Sequence, residues 1–195
     1  MVKTNEPNLT VISKDVQKVP AQALVVGIGQ TPGGPVLIDS PLSSKAASAL
    51  AASLPLLGVT GAADEIHRLP GLPELEAQML VLAGVGKVSA GDPLSAEALR
   101  RAAGSAVRQL AGTESVALAL PAATVADAAA VAEGALFGAY GYSEHRTDKT
   151  QVKAPVSNII VVTPAADDKA LKPAVERARI LARAVNATRT LVNQP

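Results

Sequence analysis

Short apolar runs alternate along the chain with longer segments in which apolar positions recur every three or four residues. That alternation predicts an α/β domain, a layered mixed β-sheet flanked by helices. Leu9 to Ser13 alternates apolar and polar, as an edge or half-buried strand does. Ala23 to Ile28 is continuous and apolar, the pattern of a central strand covered on both faces. Gly29 to Pro35 then reads as a turn-rich loop, with the short run Val36 to Ile38 after it. Ser43 to Ser53 is rich in Ala and Leu and suits a helix with Ser43 or Ser44 at its N-cap. Between Gly58 and Pro73 only Glu65 to Leu69 carries a pattern, a strand-like alternation. Met79 to Val85 is a second buried strand, ending in Gly84-Val85-Gly86-Lys87.

The second half repeats the scheme. Ser95 to Leu110 is the clearest amphipathic helix, with Leu99, Ala103, Ala106 and Leu110 on one face and Glu97, Arg101 and Arg108 opposite. Gly112 supplies its stop. Ser115 to Leu120 is a strand closed by Pro121, and Thr124 with Asp127 forms a capping box opening a helix to about Tyr140. Ser143 to Pro155 is polar and reads as an exposed connection; Asn158 to Thr163 is the last strand. From Pro173, suited to a first helical turn, a long helix runs toward Leu191. Leu171, Val175, Ala178, Ala182 and Val185 lie on one side of it, and Glu176, Arg179, Arg183 and Asn186 form a polar stripe.

Composition sharpens this picture in three ways. The chain has 195 residues, 48% hydrophobic, enough for one domain with a buried core. Aromatics are only 2%, so that core is built from Ala, Val, Leu and Ile. With 18 basic and 17 acidic side chains the net charge is +1, which argues against a nucleic-acid or membrane surface. Cysteine is absent, excluding disulfides, thiolate zinc sites and a cysteine nucleophile. The polar start, Met1 to Thr10, lacks the basic and apolar regions of a secretory signal, and no apolar run approaches the ~20 residues that span a bilayer. The chain therefore reads as soluble and cytoplasmic.

Candidate chemistry is sparse. Gly84-x-Gly86 follows a strand, but Ser89 stands where a dinucleotide fingerprint needs its third glycine, and Val81 and Val88 break a P-loop pattern around Lys87. A tight strand-exit turn fits better. The glycine-rich stretch Gly27 to Pro35 resembles the phosphate-binding loop of ADP-ribose-binding macro domains, but the Asn-Ala-Ala-Asn run is missing and Pro32 and Pro35 remove amide donors. His67 and His145 have no metal-type spacing and read as structural or solvated; Asp64-Glu65 and Asp167-Asp168 read as solvated or capping groups. No catalytic, cofactor-binding or metal-ligating residue is assigned in this chain.

Three segments carry a resemblance. Met79 to Lys87 resembles the Leu-Val-Gly-Leu-Gly-Lys strand end of the leucyl (cytosol) aminopeptidase family. Glu133 to Tyr140 is similar to its Glu-Gly-x-x-Leu-(Gly/Ala)-x-Tyr helix, followed by a polar run ending Lys149-Thr150. Ala182 to Pro195 is similar to the segment that precedes its catalytic domain, with Thr190 where aspartate is common.

The resemblance implies a macro-domain-like N-terminal domain, residues 1–172, and a linker helix, residues 173–195, leading to a catalytic domain beyond Pro195. It implies a parent hydrolase that removes N-terminal amino acids from peptides by metal-activated water attack, with two divalent ions, zinc or manganese, in that second domain. It also implies a homo-hexamer in which this domain supports assembly and limits access of large substrates, and an isolated chain that is inactive. The alternative is an ADP-ribose or nucleotide module built on Gly27 to Pro35. A third reading, DNA binding through Arg177, Arg179, Arg183 and Arg189, meets the near-neutral charge.

Overall fold

The computed structural model describes residues 6–89, 91–143 and 152–194. The elements run β1 (Asn8–Ile12), β2 (Ala23–Thr31), β3 (Gly34–Leu37), α1 (Ser44–Ser53), β4 (Ile66–Pro70), β5 (Met79–Lys87), α2 (Ala96–Gln109), β6 (Ser115–Ala119), α3 (Val125–Gly138), β7 (Asn158–Val162) and α4 (Leu171–Asn193). Single 3-10 turns sit at Val16–Lys18 and Pro164–Asp167.

One seven-stranded mixed sheet has the order β1-β7-β6-β2-β5-β4, with β3 paired to β2. Strands β1, β7, β6, β2 and β5 are mutually parallel, and β4 and β3 run antiparallel to β5 and β2. Strand β2 reads as continuously apolar because both faces are covered. Leu24, Val26 and Ile28 join Leu50 of α1 and Leu54, which caps it, on one side. Ala23 and Val25 join α2 and α3 on the other, where Leu9, Val81, Leu118 and Ile159 also pack. The expected α/β layering, with helices on a central sheet and a long C-terminal helix, is the observed fold.

Helix starts follow their capping chemistry. Ser43 Oγ accepts from the Ala46 amide at 3.3 Å, and Ser95 Oγ from the Ala98 amide at 3.1 Å. Thr124 and Asp127 exchange both bonds of a capping box. Helix α3 then crosses α2 so closely that a Cβ at Gly134 would overlap the carbonyl of Arg100. Only glycine permits that backbone-to-backbone approach.

Three sequence expectations are corrected. Gly29 to Pro35 is not an open loop: β2 continues to Thr31 and turns at Pro32-Gly33 into β3, pairing Gly29 with Val36, Gln30 with Pro35 and Thr31 with Gly34. Pro35 is tolerated because β3 is an edge, where a missing N–H costs no interior ladder bond. Gly84-Val85-Gly86-Lys87 is not a strand-exit turn either. Strand β5 runs through it with a bulge, Ile28 opposing Gly84 and Gly29 opposing Gly86, whose φ is +88°. A bulge residue with positive φ selects glycine without ending the strand.

The third correction concerns α4. Leu171, Ala178 and Ala182 are buried and Val175 packs against the core, but Val185 is 41% exposed. Three members of the polar stripe reach back toward the body, while Glu176 is exposed. Arg179 donates to the Leu9 carbonyl at 2.6 Å, Arg183 to Glu6 at 2.8 Å, and Asn186 to the Leu136 carbonyl at 3.4 Å. Long polar side chains on a helix flank reach past small alanines to backbone carbonyls, which a count of apolar positions does not register. The helix also begins at Leu171, so Pro173 falls within its first turn.

Candidate functional site

Open α/β sheets bind ligands beyond the carboxyl ends of their parallel strands, so that edge is the first place to look. Strand β6 stops pairing with β2 at Ala119 opposite Val26, and β3 takes over from Ile28. A cleft of about 690 Å³ opens there, between the ends of β1, β6 and β7. Lys14 and Asp39 line it, but its other polar groups are already engaged. Ser13 donates to Asp167 at 3.1 Å, Asp15 accepts from the Gln17 amide at 3.0 Å, and Thr163 donates to the Ala122 carbonyl at 2.5 Å. Pro41, Pro121 and Pro164 line the rest and offer no amide donor. A phosphate cradle needs several converging donors, and this edge does not supply them.

The acidic pair Asp64-Glu65 does structural work at the same carboxyl end of the sheet, on its β4–β5 side. Glu65 accepts from the Thr60 amide at 3.0 Å, the Thr60 hydroxyl at 2.8 Å and the Ala62 amide at 3.1 Å, tying the loop that crosses the β5 bulge. His67 Nε2 stands 2.8 Å from the same carboxylate. Burial pushes the Glu65 pKa up, but these hydrogen bonds outweigh it and lower the group to about 2. Asp64 is bonded by Arg101 and by Ser105, at 2.5 Å for the latter, and these bonds hold its carboxyl below the usual range against burial. Asp168 accepts from the Ala170 amide at 2.8 Å. Glu65 and Asp168 thus cap nearby backbone amides, whereas Asp64 pairs with α2 and Asp167 accepts from Ser13; His67 is engaged with Glu65. His145 lies outside the described residues.

Among the described residues no three of His, Asp and Glu converge on a point that would suit a metal ion. The arginines of α4 do not form a free basic face. Arg179 and Arg183 both pair with Glu6, and Arg189 donates to the Phe137 carbonyl at 2.9 Å with its guanidinium carbon 4.0 Å from the Tyr140 ring centroid. No described helix is long and apolar enough to cross a membrane.

The surface feature that sequence reasoning missed is the outer side of α4. Ile180, Leu181, Val185, Leu191 and Val192 are exposed, the last two 67% and 78%. The signal was present, since Leu191 and Val192 fall off the predicted buried face; reading that face as the only apolar one concealed it. The α3–α4 junction, where Tyr140 meets Arg189 and Thr190, joins residues fifty positions apart and left no local signal.

Comparison with known proteins places the chain. Residues 25–149 match the model described as "Cytosol aminopeptidase family, N-terminal domain". A probable cytosol aminopeptidase of Micrococcus luteus is 49% identical over 99% of this chain and 38% of its own length. One from Streptomyces griseus is 40% identical over 96% of this chain and 39% of its own. Among solved structures, a mutant of tomato leucine aminopeptidase superposes with a TM-score of 0.68 at 16% identity, covering 97% of this chain and 39% of that one. The manganese complex of the bottromycin maturation enzyme BotP gives 0.59 at 22% identity, over 90% and 32%. The chain thus spans roughly two fifths of the length of the curated relatives it matches.

Proposed function

The chain belongs to the cytosol aminopeptidase family as its N-terminal domain, and from that premise we propose that it is the non-catalytic part of a metal-dependent leucyl aminopeptidase. The parent acts in the cytoplasm and removes N-terminal residues from peptides. Residues 173–195, most of which lie in α4, link this domain to a catalytic domain that holds two divalent ions, zinc or manganese. Those ions supply an activated water there. The described residues of this chain fit no metal, so no catalytic step is assigned to any of them.

What carries the reading is the end of α4. Its last turn leaves Leu191 and Val192 exposed beside a chain that covers only 38% of a near relative. Apolar side chains of that size at a domain boundary are buried once the rest of the protein packs on them. The role assigned to this domain is support of a homo-hexamer and restriction of the catalytic chamber to small peptides. The nucleotide-module alternative is disfavoured because Gly27 to Pro35, apart from the Pro32-Gly33 turn, is strand backbone of β2 and β3 and not an open phosphate loop.

Leucine-amide hydrolysis with added manganese tests the assignment. The 195-residue chain is expected to give no turnover and the longer parent to give it; turnover by this chain alone overturns the reading. Calorimetric titration with ADP-ribose is expected to give no heat, and saturable binding at the β2–β3 hairpin would restore the alternative.

A further inference from the structure

A cleft of about 380 Å³ lies between α2, α3 and the C-terminal end of α4, away from the sheet edge and the exposed face of α4. Its lining is basic. Arg100, Arg101, Arg108 and Arg189 face it, against two carboxylates, Asp64 and Glu97. Those carboxylates are already claimed, Asp64 by Arg101 and Glu97 by Arg100. Arg100 also reaches Glu133 at 3.1 Å. Arg108 has one long contact, 3.4 Å to Ser105 Oγ, and acts through space on Asp64, which Arg101 already binds; among the described residues neither Arg108 nor Arg189 forms a direct ion pair.

Arg189 is the better organised of the two. One terminal nitrogen donates to the Phe137 carbonyl and to Asn186 Oδ1 at 3.2 Å, and the plane rests against Tyr140. The other terminal nitrogen and Nε make no bond among the described residues. Burial lowers its pKa and Arg108 lowers it further, against an opposing contribution from Tyr140. Two guanidinium groups that repel each other across one cleft, with donors to spare, suit a doubly charged oxyanion. Fork-like donor geometry matches phosphate oxygens, and a half-desolvated, already oriented arginine loses little freedom on binding. The close α2–α3 crossing at Gly134 sets the floor, and Phe137 forms an apolar wall. The volume exceeds that of a bare phosphate and lies at the small end of ligand sites.

We propose that this cleft is a binding site for a phosphate group, free or esterified, recognised by Arg108 and Arg189. The proposal is independent of the aminopeptidase reading. Its test is an NMR titration of the 195-residue chain with inorganic phosphate at constant ionic strength. The expected result is saturable shifts confined to Ser105, Arg108, Phe137 and Arg189. Arg108→Gln, which removes an exposed side chain, is expected to weaken binding roughly tenfold, the effect of losing one charge-assisted contact. Arg183→Gln, equal in charge but tied to Glu6, is expected to leave it unchanged. Absent or non-saturating shifts, or equal weakening in both variants, overturn the proposal.

Discussion

Helix α3 and helix α4 pack side by side, but they are finished to different degrees. α3 buries Ala128, Ala130, Val131, Ala132, Ala135 and Leu136, and at Gly134 brings its backbone against α2. α4 buries only Leu171, Ala178, Ala182 and Thr190 along its 23 residues, while five large apolar side chains face outward. Most of α3 is covered within the chain; the outer side of α4 is not. The difference separates what a domain needs to fold from what it holds ready for something else. It also explains why α3 tolerates little change and the outer side of α4 should tolerate much.

Breaking α3 is expected to give the largest effect. Gly134→Val drives a branched side chain into the Arg100 carbonyl and should cost about 3 kcal/mol, read as a lowered denaturation midpoint. An unchanged midpoint would mean that the two helices can move apart. Detaching the helices from each other is the next perturbation. Tyr140→Leu removes the Arg189 stacking contact and the 3.2 Å link to Thr190, for about 1–2 kcal/mol. Amide exchange should then accelerate from Arg189 to Asn193 and stay slow around Ala178.

Acid should spare both helices at first. Glu65 is held at about 2 against an ordinary 4.5, so its stabilisation is complete above 4.5 and lost as pH falls from there toward 2. The loop from Thr60 to Ala62 is expected to open first, and Glu65→Gln should flatten the stability curve over that window. The smallest effect belongs to the outer side of α4. Leu191→Ser with Val192→Ser should change the stability of this chain by no more than about 0.5 kcal/mol. In the longer parent the same pair should lower the denaturation midpoint by loosening the contact with the rest of the protein; an unchanged midpoint would leave that face without its assigned partner.

Much of the fold was legible because local rules decide it. The Thr124–Asp127 box, the Ser95 cap and the continuous apolar run of β2 each carry their structure in neighbouring residues. Glycine misled twice for one physical reason. Gly84, Gly86, Gly33 and Gly34 satisfy a bulge and a hairpin turn as readily as a loop, and only the partner strand distinguishes these. The arginine cleft was invisible for a different reason. Arg108 and Arg189 are brought together by the α2–α3–α4 packing, and no periodicity links them. Family resemblance supplied what neither pattern nor spacing could.

The pairing of β1 with β7, Asn8 opposite Asn158, sets a schedule for synthesis. Strand β1 is made long before its partner β7, with β2 to β6 synthesised in between. At 5–20 residues per second, roughly ten to thirty seconds pass before the two can meet. During that interval β1 has no sheet to join, while β2, β5 and β6 can already assemble. The nascent protein therefore waits with β1 unpaired, and the moment at which β7 captures it is when chaperone attention would matter most.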